Sequence, residues 1–432
     1  MANGFLSTLQ ERGLVQDFVP GLEELMAGEQ ITAYVGFDPT ADSLHIGNLV
    51  PIMLMVHLQR AGHRPIALVG GATGRVGDPT GRSTERTMLT GDQIRHHLEC
   101  QKAQLRRFLD FDSGLAHAAV MVNNDEWFSE MGFLDFISEV GVHLPVNYML
   151  AKDSVKLRLE HGMSFMEFCY QLIQGYDFVH LYRQYGCKLQ MGGSDQWGNM
   201  TTGTELIRRM LGGEAWALTA PLTKKSDGTK FGKSEGSNVW LDPAKTSPYT
   251  FYQFWLNVSD EEALRYLPVY TLLEMPDIAE IVRRHEEAPH LRLAQKALAE
   301  EVTERVHGLA ALDQARAASE LLFGKVSREQ MMGLPPEVLL QALEGVPIHR
   351  VSRQWINEGC EWVHLLSDHS GIFPSRSEAR KLIEGGGLSL NREKCSDVSA
   401  VARNEDLFAG SMVLVQKGKK NYHLLVFHEE AG

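Results

Sequence analysis

Apolar residues fall in two rhythms along this chain, short unbroken runs and longer stretches with a period near 3.6, and the two alternate through its first half. Ile31–Phe37 and Pro65–Val69 are short runs rich in β-branched, aliphatic and aromatic residues, which predict buried strands. Between them Asn48–Arg60 is a mostly apolar helix, with Pro51 in the first turn, where a missing N–H is tolerated. An amphipathic helix over 92–109, a strand over Ala118–Val122 and a helix over 126–140 continue the pattern. A further helix, 165–180, opens at Phe165, and a strand over Lys188–Met191 follows it. Alternation of this kind predicts an α/β fold, a Rossmann-type doubly wound parallel sheet, with ligands at the carboxyl ends of its strands.

Outside that core the rhythm changes. Residues 1–30 read as a helical lead-in, and Leu144–Ser164 reads as an insertion between the sheet halves. From Pro248 to Gly324 the pattern is helical throughout, and the stretch that follows, with Pro335-Pro336 and several glycines, reads as a junction. The last ~75 residues turn to short strands around Ser375–Glu384, a basic helix that Ser375 and Glu378 would open as a capping box. The expected organisation is a catalytic domain over 1–247, an all-helical domain over 248–323, a linker over 324–350 and a small α+β domain over 351–432.

Chemistry concentrates at the predicted carboxyl edge of the sheet. Tyr34–Asn48, YVGFDPTADSLHIGN, leaves a strand, forms a polar loop and opens a helix at His45-Ile46-Gly47-Asn48. Free N–H groups, a positive helix end and an imidazole at one point suit a polyphosphate. Gly47, without a Cβ, would let a nucleotide approach the backbone. The plainer alternative is an ordinary βα turn with a surface histidine. Thr229-Lys230-Phe231-Gly232-Lys233-Ser234 follows a Gly/Ser/Lys-rich loop, and two lysines three apart around a glycine suit phosphates, or are simply a solvated basic loop. On helix 165–180, Tyr170, Gln174 and Asp177 stand at i, i+4 and i+7 and so share one face, either a solvated stripe or the wall of a polar pocket.

The two clusters, about 185 residues apart, resemble the HIGH and KMSKS signatures of class I aminoacyl-tRNA synthetases. The stretches Gly36–Asn48, Ala67–Arg86, Phe165–Asn199 and Lys230–Ser234, with the C-terminal segment, narrow the resemblance to bacterial-type tyrosyl-tRNA synthetases. The resemblance implies that tyrosine and ATP give tyrosyl-adenylate and pyrophosphate, and that the acyl group then passes to the 3′ end of tRNA(Tyr). It implies roles residue by residue. Tyr34 and Asp177 would bond the substrate phenol, and Asp78, Tyr170 and Gln174 its ammonium group. Gln196 would meet the reacting carboxyl and Asp195, after Gly193, the ribose, with Gly36 and Asp38 near the nucleotide or amino acid. Thr40, His45 and Asn48 would contact the departing phosphates, with Arg82, Arg86, Lys230, Lys233 and Ser234 closing over them. Magnesium is expected with ATP, and no carboxylate cluster marks a protein-held metal site. Asn48 replaces the last His of the signature, Arg82 stands where Lys is common, and Val35 replaces a hydrogen-bonding side chain near the ribose.

Composition bears on the compartment and the partners. At 432 residues, 44% hydrophobic and 22% charged, the chain has material for about three domains and no apolar run long enough to span a bilayer. Its N-terminus carries acidic residues early and reads as neither signal nor transit peptide. Five scattered cysteines without a CxxC read as cytosolic thiols. The net charge of −13 argues against a nucleic-acid partner only globally, because Arg376–Lys420 carries nine Lys/Arg against six Asp/Glu. That segment resembles an S4-type RNA-binding module, with Arg376, Arg380 and Lys381 as the expected RNA contacts, and the helical domain would take the anticodon arm. Val142, Leu144, Val146, Met149, Leu150 and Phe165 either complete the core or form an apolar interface; the resemblance implies a two-fold homodimer there. The alternatives to a tyrosine–tRNA ligase are a tryptophanyl-tRNA synthetase and an RNA-binding protein of this fold with an added or replaced role.

Overall fold

The structure is a computed structural model that describes residues 4–80, 89–159, 162–223, 231–234, 237–323, 327–332, 339, 343, 346–418 and 421–429. Six strands, β1 (Asp17–Phe18), β2 (Thr32–Phe37), β3 (Arg64–Val69), β4 (Val120–Asn123), β5 (Cys187–Gly193) and β6 (Trp216–Ala220), lie in the order β1-β6-β5-β2-β3-β4. β2 pairs in parallel with both β3 and β5, and β3–β4 and β5–β6 are parallel as well. The chain therefore moves outward in one direction after β2 and returns to the other side of it at β5. That reversal leaves a crevice at the carboxyl ends of β2 and β5. The central strands are dry: Ala33, Tyr34, Val35, Phe37, Ile66, Ala67 and Val69 are all buried.

Several elements depart from the sequence expectation, each for a local reason. β1 lies inside the lead-in expected to be helical and pairs antiparallel with the edge of β6; two residues are too few to show a period. The helix expected over 126–140 breaks at Gly132 into Asp125–Phe128 and Phe133–Glu139. The helix opening at Phe165 runs to Tyr185, five residues past the expected end, and stops at Gly186 with φ +61°. Its start is capped by Ser164, whose hydroxyl accepts from the Glu167 N–H.

The insertion 144–164 is only partly without internal partners. Leu144 and Met149 join the core beside Leu172, Tyr176 and Phe178. Arg158 and Glu167, both buried, form an ion pair at 3.0 Å that ties the segment to the long helix. Val142, Val146, Leu150 and Phe165 remain exposed, joined by Phe133, Leu134 and Ile137.

The chain forms two compact units, 1–245 with 255–306, and 246–254 with 307–432. The helical stretch 248–323 is thus shared between them rather than standing as a unit of its own, because its apolar faces find different partners. In the first unit, Arg12 donates to the carbonyls of Pro268, Thr271 and Leu273 and so caps the helix Asp260–Tyr270. In the second, Ala318 packs with Met331, Leu339, Phe408, Met412 and Leu424.

The C-terminal sheet runs Glu393–Lys394, Leu388–Leu390, Met412–Lys417, Asn421–His428, Ile348–Ser352, and the helix Arg376–Glu384 buries Ala379 and Ile383 in its core. Ser375 accepts from the Glu378 N–H at 3.3 Å, one half of the expected capping box. Arg376, Arg380 and Lys381 are exposed. Among the described residues no helix is long and apolar enough to cross a membrane.

Candidate active site

The crevice at the β2–β5 reversal is a cleft of about 820 Å³. Tyr34, Gly36, Asp38, Thr40, His45, Gly47, Asn48, Asp78, Tyr170, Gln174, Asp177, Gly193, Asp195 and Gln196 all line it. Arg82, Arg86 and Lys230 lie outside the described residues, as do the side chains of Lys233 and Ser234, whose backbone pairs antiparallel with Asn238 and Ser237.

Three elements build the floor. Tyr34 comes from β2 and Asp177 from the long helix, and both are buried to 1% exposure. The Asp177 carboxylate accepts from Trp127 Nε1 at 3.0 Å and from Asn124 Nδ2 at 3.1 Å. Burial drives the Asp177 pKa well above the usual carboxylate value, and these two donors oppose the shift. Burial, with the Asp177 charge second, pushes the Tyr34 phenol up too, so it keeps its proton. The Tyr34 hydroxyl has no hydrogen-bond partner among the described residues.

From Asp177 a chain of hydrogen bonds crosses the site. Asn124 Nδ2 also donates to Thr73 Oγ1 at 3.0 Å, and its Oδ1 accepts from the Ala72 N–H at 2.7 Å. Thr73 Oγ1 donates to Asp38 Oδ1 at 2.7 Å, and Tyr170 donates to Asp38 Oδ2 at 2.9 Å. A Cβ on Gly70 would stand 2.3 Å from Asp38 Oδ1, so the chain depends on a residue without one there. Nearby, Asp78 accepts from Gln196 Nε2 at 2.7 Å and from the Thr80 N–H at 3.0 Å, while Gln196 Oε1 accepts from Asn199. Asp195 is raised by burial and then by Asp78.

Sequence reasoning missed Asn124, Trp127, Thr73, Thr80 and Gln190. The last lines the cleft from β5 with a buried Oε1 that has no hydrogen-bond partner among the described residues, like Gln174 Oε1 and Thr80 Oγ1. Asn124 carried one usable signal, its place just past the carboxyl end of a strand.

The mouth of the cleft is built differently. His45 Nδ1 accepts from the Gly47 N–H at 3.0 Å, and Asn48 Oδ1 accepts from the His45 N–H at 3.0 Å. With Nδ1 an acceptor, the neutral ring carries its proton on Nε2. Burial holds the imidazole below its ordinary range, so this neutral donor is the working form. Gly47 has a reason the sequence did not suggest: a Cβ there would meet His45 Cε1 at 2.7 Å. Gly36 is the converse, since its nearest neighbour would be a Leu68 methyl at 3.9 Å. The bridge between His45 and Trp240 and the bond from the Val239 N–H to Gly232 O join this loop to the Lys233 strand.

Comparison with known proteins agrees along nearly the whole chain. The family described as tRNA synthetases class I (W and Y) matches residues 26–324, and the tyrosine–tRNA ligase SYY-like C-terminal domain matches residues 339–425. The chain is 54% identical over 426 residues to a tyrosine–tRNA ligase of Bacteroides thetaiotaomicron, covering 98% of this chain and 99% of the relative. It is 55% identical over 426 residues to that of Porphyromonas gingivalis, with the same coverage. A C-terminally truncated mitochondrial tyrosyl-tRNA synthetase of Aspergillus nidulans shares the fold with TM-score 0.68 at 30% identity, covering 74% of this chain and 94% of that one.

Proposed function

The chain belongs to the tyrosine–tRNA ligases of the class I tRNA synthetases, and we propose that its cleft reads the substrate phenol at the floor and activates the carboxylate at the mouth. The reaction joins tyrosine to tRNA(Tyr) through tyrosyl-adenylate, with ATP as co-substrate.

The observation that carries this reading is the set of buried cleft atoms without partners among the described residues: Tyr34 Oη, Gln174 Oε1, Gln190 Oε1 and Thr80 Oγ1. Buried polar groups are normally satisfied, so a ligand completes them. A substrate phenol donates its proton to Asp177 and accepts from Tyr34. Phenylalanine leaves the Tyr34 hydroxyl unpaired and brings no proton to Asp177, and an indole offers a donor but no acceptor for the Tyr34 proton. Tyr170 gives its proton to Asp38, so toward the substrate ammonium its oxygen acts as an acceptor, alongside Gln174 Oε1 and Asp78. Gln196 Nε2 gives one hydrogen to Asp78 and keeps the other for the reacting carboxylate. Gly36 is open on the cleft side, where a ligand can lie against the backbone.

At the mouth, Thr40, the His45 Nε2–H and the lysine pair Lys230 and Lys233 stabilise charge moving onto pyrophosphate, and Arg82, Arg86, Asn48 and Ser234 are proposed to share that role. Asp195 accepts from a ribose hydroxyl. Among the described residues no group of three or more His, Cys, Asp or Glu side chains could hold a metal ion. Magnesium is proposed to accompany the ATP phosphates.

Amino-acid-dependent exchange of pyrophosphate into ATP tests the assignment. Tyrosine alone supports strong exchange; comparable exchange with tryptophan or phenylalanine would overturn it. Arg376, Arg380 and Lys381 are proposed as tRNA phosphate contacts, the helices after residue 248 as support for the anticodon arm, and the cytoplasm as the compartment. Neutralising the three basic residues lowers the salt dependence of tRNA binding by about 0.7–0.9 in slope per lost contact and leaves exchange unchanged; an unaltered slope rejects the role. The exposed Val142, Val146, Leu150 and Phe165 are proposed as a two-fold dimer face. A Phe165→Asp variant that still sediments as a dimer counts against that.

A further inference from the structure

Two described contacts of the lysine-bearing stretch lead to one residue. Thr223, which follows β6, has its Oγ1 2.8 Å from the Tyr270 hydroxyl. Phe231 stacks on the Tyr270 ring, with centroids 5.6 Å apart and planes 15° apart. Trp255 and Tyr266 stand around the same phenylalanine at 5.8 and 5.1 Å. Thr223 and Phe231 both line the cleft. Tyr270 itself is buried, in the last turn of the Asp260–Tyr270 helix.

That helix is a fixed support. Ser259 caps its start, accepting from the Glu262 N–H while Glu262 accepts from the Ser259 N–H. Arg12, just after the helix Phe5–Glu11, holds the carbonyls at and beyond the end of Asp260–Tyr270. Beyond Phe231 the chain is fixed again. Gly232 has φ +92°, and a Cβ on it would lie 3.2 Å from Ile46. In sequence, the lysines at 230 and 233 bracket Phe231 and Gly232, which are held by Tyr270 on one side and by Val239 and Ile46 on the other.

We propose that Tyr270 is a positioning residue for tyrosine activation, holding Thr223 and Phe231 and, through them, the placement of the lysine-bearing segment that serves the ATP phosphates. This rests on the phosphate role given to the lysines above. In the step concerned, a tyrosine carboxylate oxygen bonds to the α-phosphorus, and the bond from that phosphorus to the bridging oxygen breaks. The electron pair leaves with pyrophosphate and no proton moves. The lysines act on the charge that pyrophosphate gains, so misplacing them slows the step without touching the tyrosine floor.

The test is a double-mutant cycle in the full-length protein, read as the single-turnover rate of adenylate formation and as tyrosine affinity. Tyr270→Leu removes both ties and lowers the rate about 30-fold, with tyrosine affinity within twofold. Tyr270→Phe keeps the stack, loses the bond to Thr223, and lowers the rate only about fivefold. Phe231→Ala, at a half-buried position, reproduces the loss from the other side and covers the case in which Tyr270→Leu folds poorly. In a Lys233→Ala background Tyr270→Leu costs little more, because it acts through the lysines. Fully additive losses, or equal losses in rate and tyrosine affinity, would overturn the proposal while leaving the lysine role standing. A Lys233→Ala enzyme with an unchanged rate would overturn the lysine role and the Tyr270 proposal together.

Discussion

The floor and the mouth of the cleft hold their working groups in opposite ways. At the floor, Asp177 is fixed by Trp127 and Asn124, and Asn124 in turn by Ala72 and Thr73, all within the first unit's buried core. At the mouth, His45 is oriented by its own loop, through Gly47 and Asn48, and the loop leans on Trp240 and Val239. A floor wired through the core suits a site that must refuse a substrate lacking one hydroxyl, since its donors cannot relax to find other partners. A mouth built from loops suits charge that moves during the reaction and needs donors only as it develops.

The contrast breaks most visibly at Asp177. Asp177→Leu leaves the substrate phenol proton, the Trp127 Nε1–H and one Asn124 Nδ2 hydrogen without an acceptor in a dry site. At roughly 1–3 kcal/mol for each buried unpaired group, kcat/KM for tyrosine falls by about 10³-fold or more. Steady-state pyrophosphate exchange measures it, and a loss under tenfold would mean that the floor does not read the phenol.

At the mouth the expected loss is smaller and differently divided. His45→Ala removes one donor used mainly in the transition state, so the rate of tyrosine activation falls about 10²-fold while tyrosine affinity holds. His45→Gln supplies another neutral donor and recovers part of it, within about tenfold of the parent. If His45→Ala weakened tyrosine binding as much as it slowed the rate, floor and mouth would not be separate devices.

How much of this was legible in the sequence follows the same division. The mouth is contiguous: His45, Gly47 and Asn48 sit together, so strand, loop and helix could be read in one stretch. The parallel sheet was legible too, because its strands are continuous apolar runs. The floor's support was not. Asn124, Trp127 and Thr73 are separated from Asp177 by 50 to 104 positions and meet it, or one another, only through the order of β2, β3, β4 and β5. No local period marks a side chain whose task is to hold another. The apolar residues of the insertion were ambiguous for a related reason. Leu144 and Met149 go inward while Val142 and Val146 stay out, and that choice is made by helix 165–185, not by the segment itself.

The smallest predicted effect separates the site from the frame that carries it. The helix Leu49–Arg60 begins at the His45 loop and ends with His57 buried in its last turn. Burial, reinforced by the charges of Arg12, Arg60 and Arg305, lowers the His57 pKa from 6.5 to about 3. An unfolded chain takes up this proton near pH 6.5, and the folded one resists it until about pH 3. Stability from His57 is therefore complete above about pH 6.5 and is lost as the pH falls below it, by up to about 1.4 kcal/mol per pH unit. Unfolding midpoints at pH 7 and pH 5.5, compared between the parent and His57→Leu, isolate the term, because other titrating groups are common to both. The parent loses about 1 kcal/mol more than the variant over that interval. Burial lowers the His45 pKa as well, so that residue takes up its proton at lower pH than an ordinary imidazole. Equal pH slopes in the two proteins would mean that His57 is charged or hydrated in the fold, and the helix would then be less dry beneath the site than its burial implies.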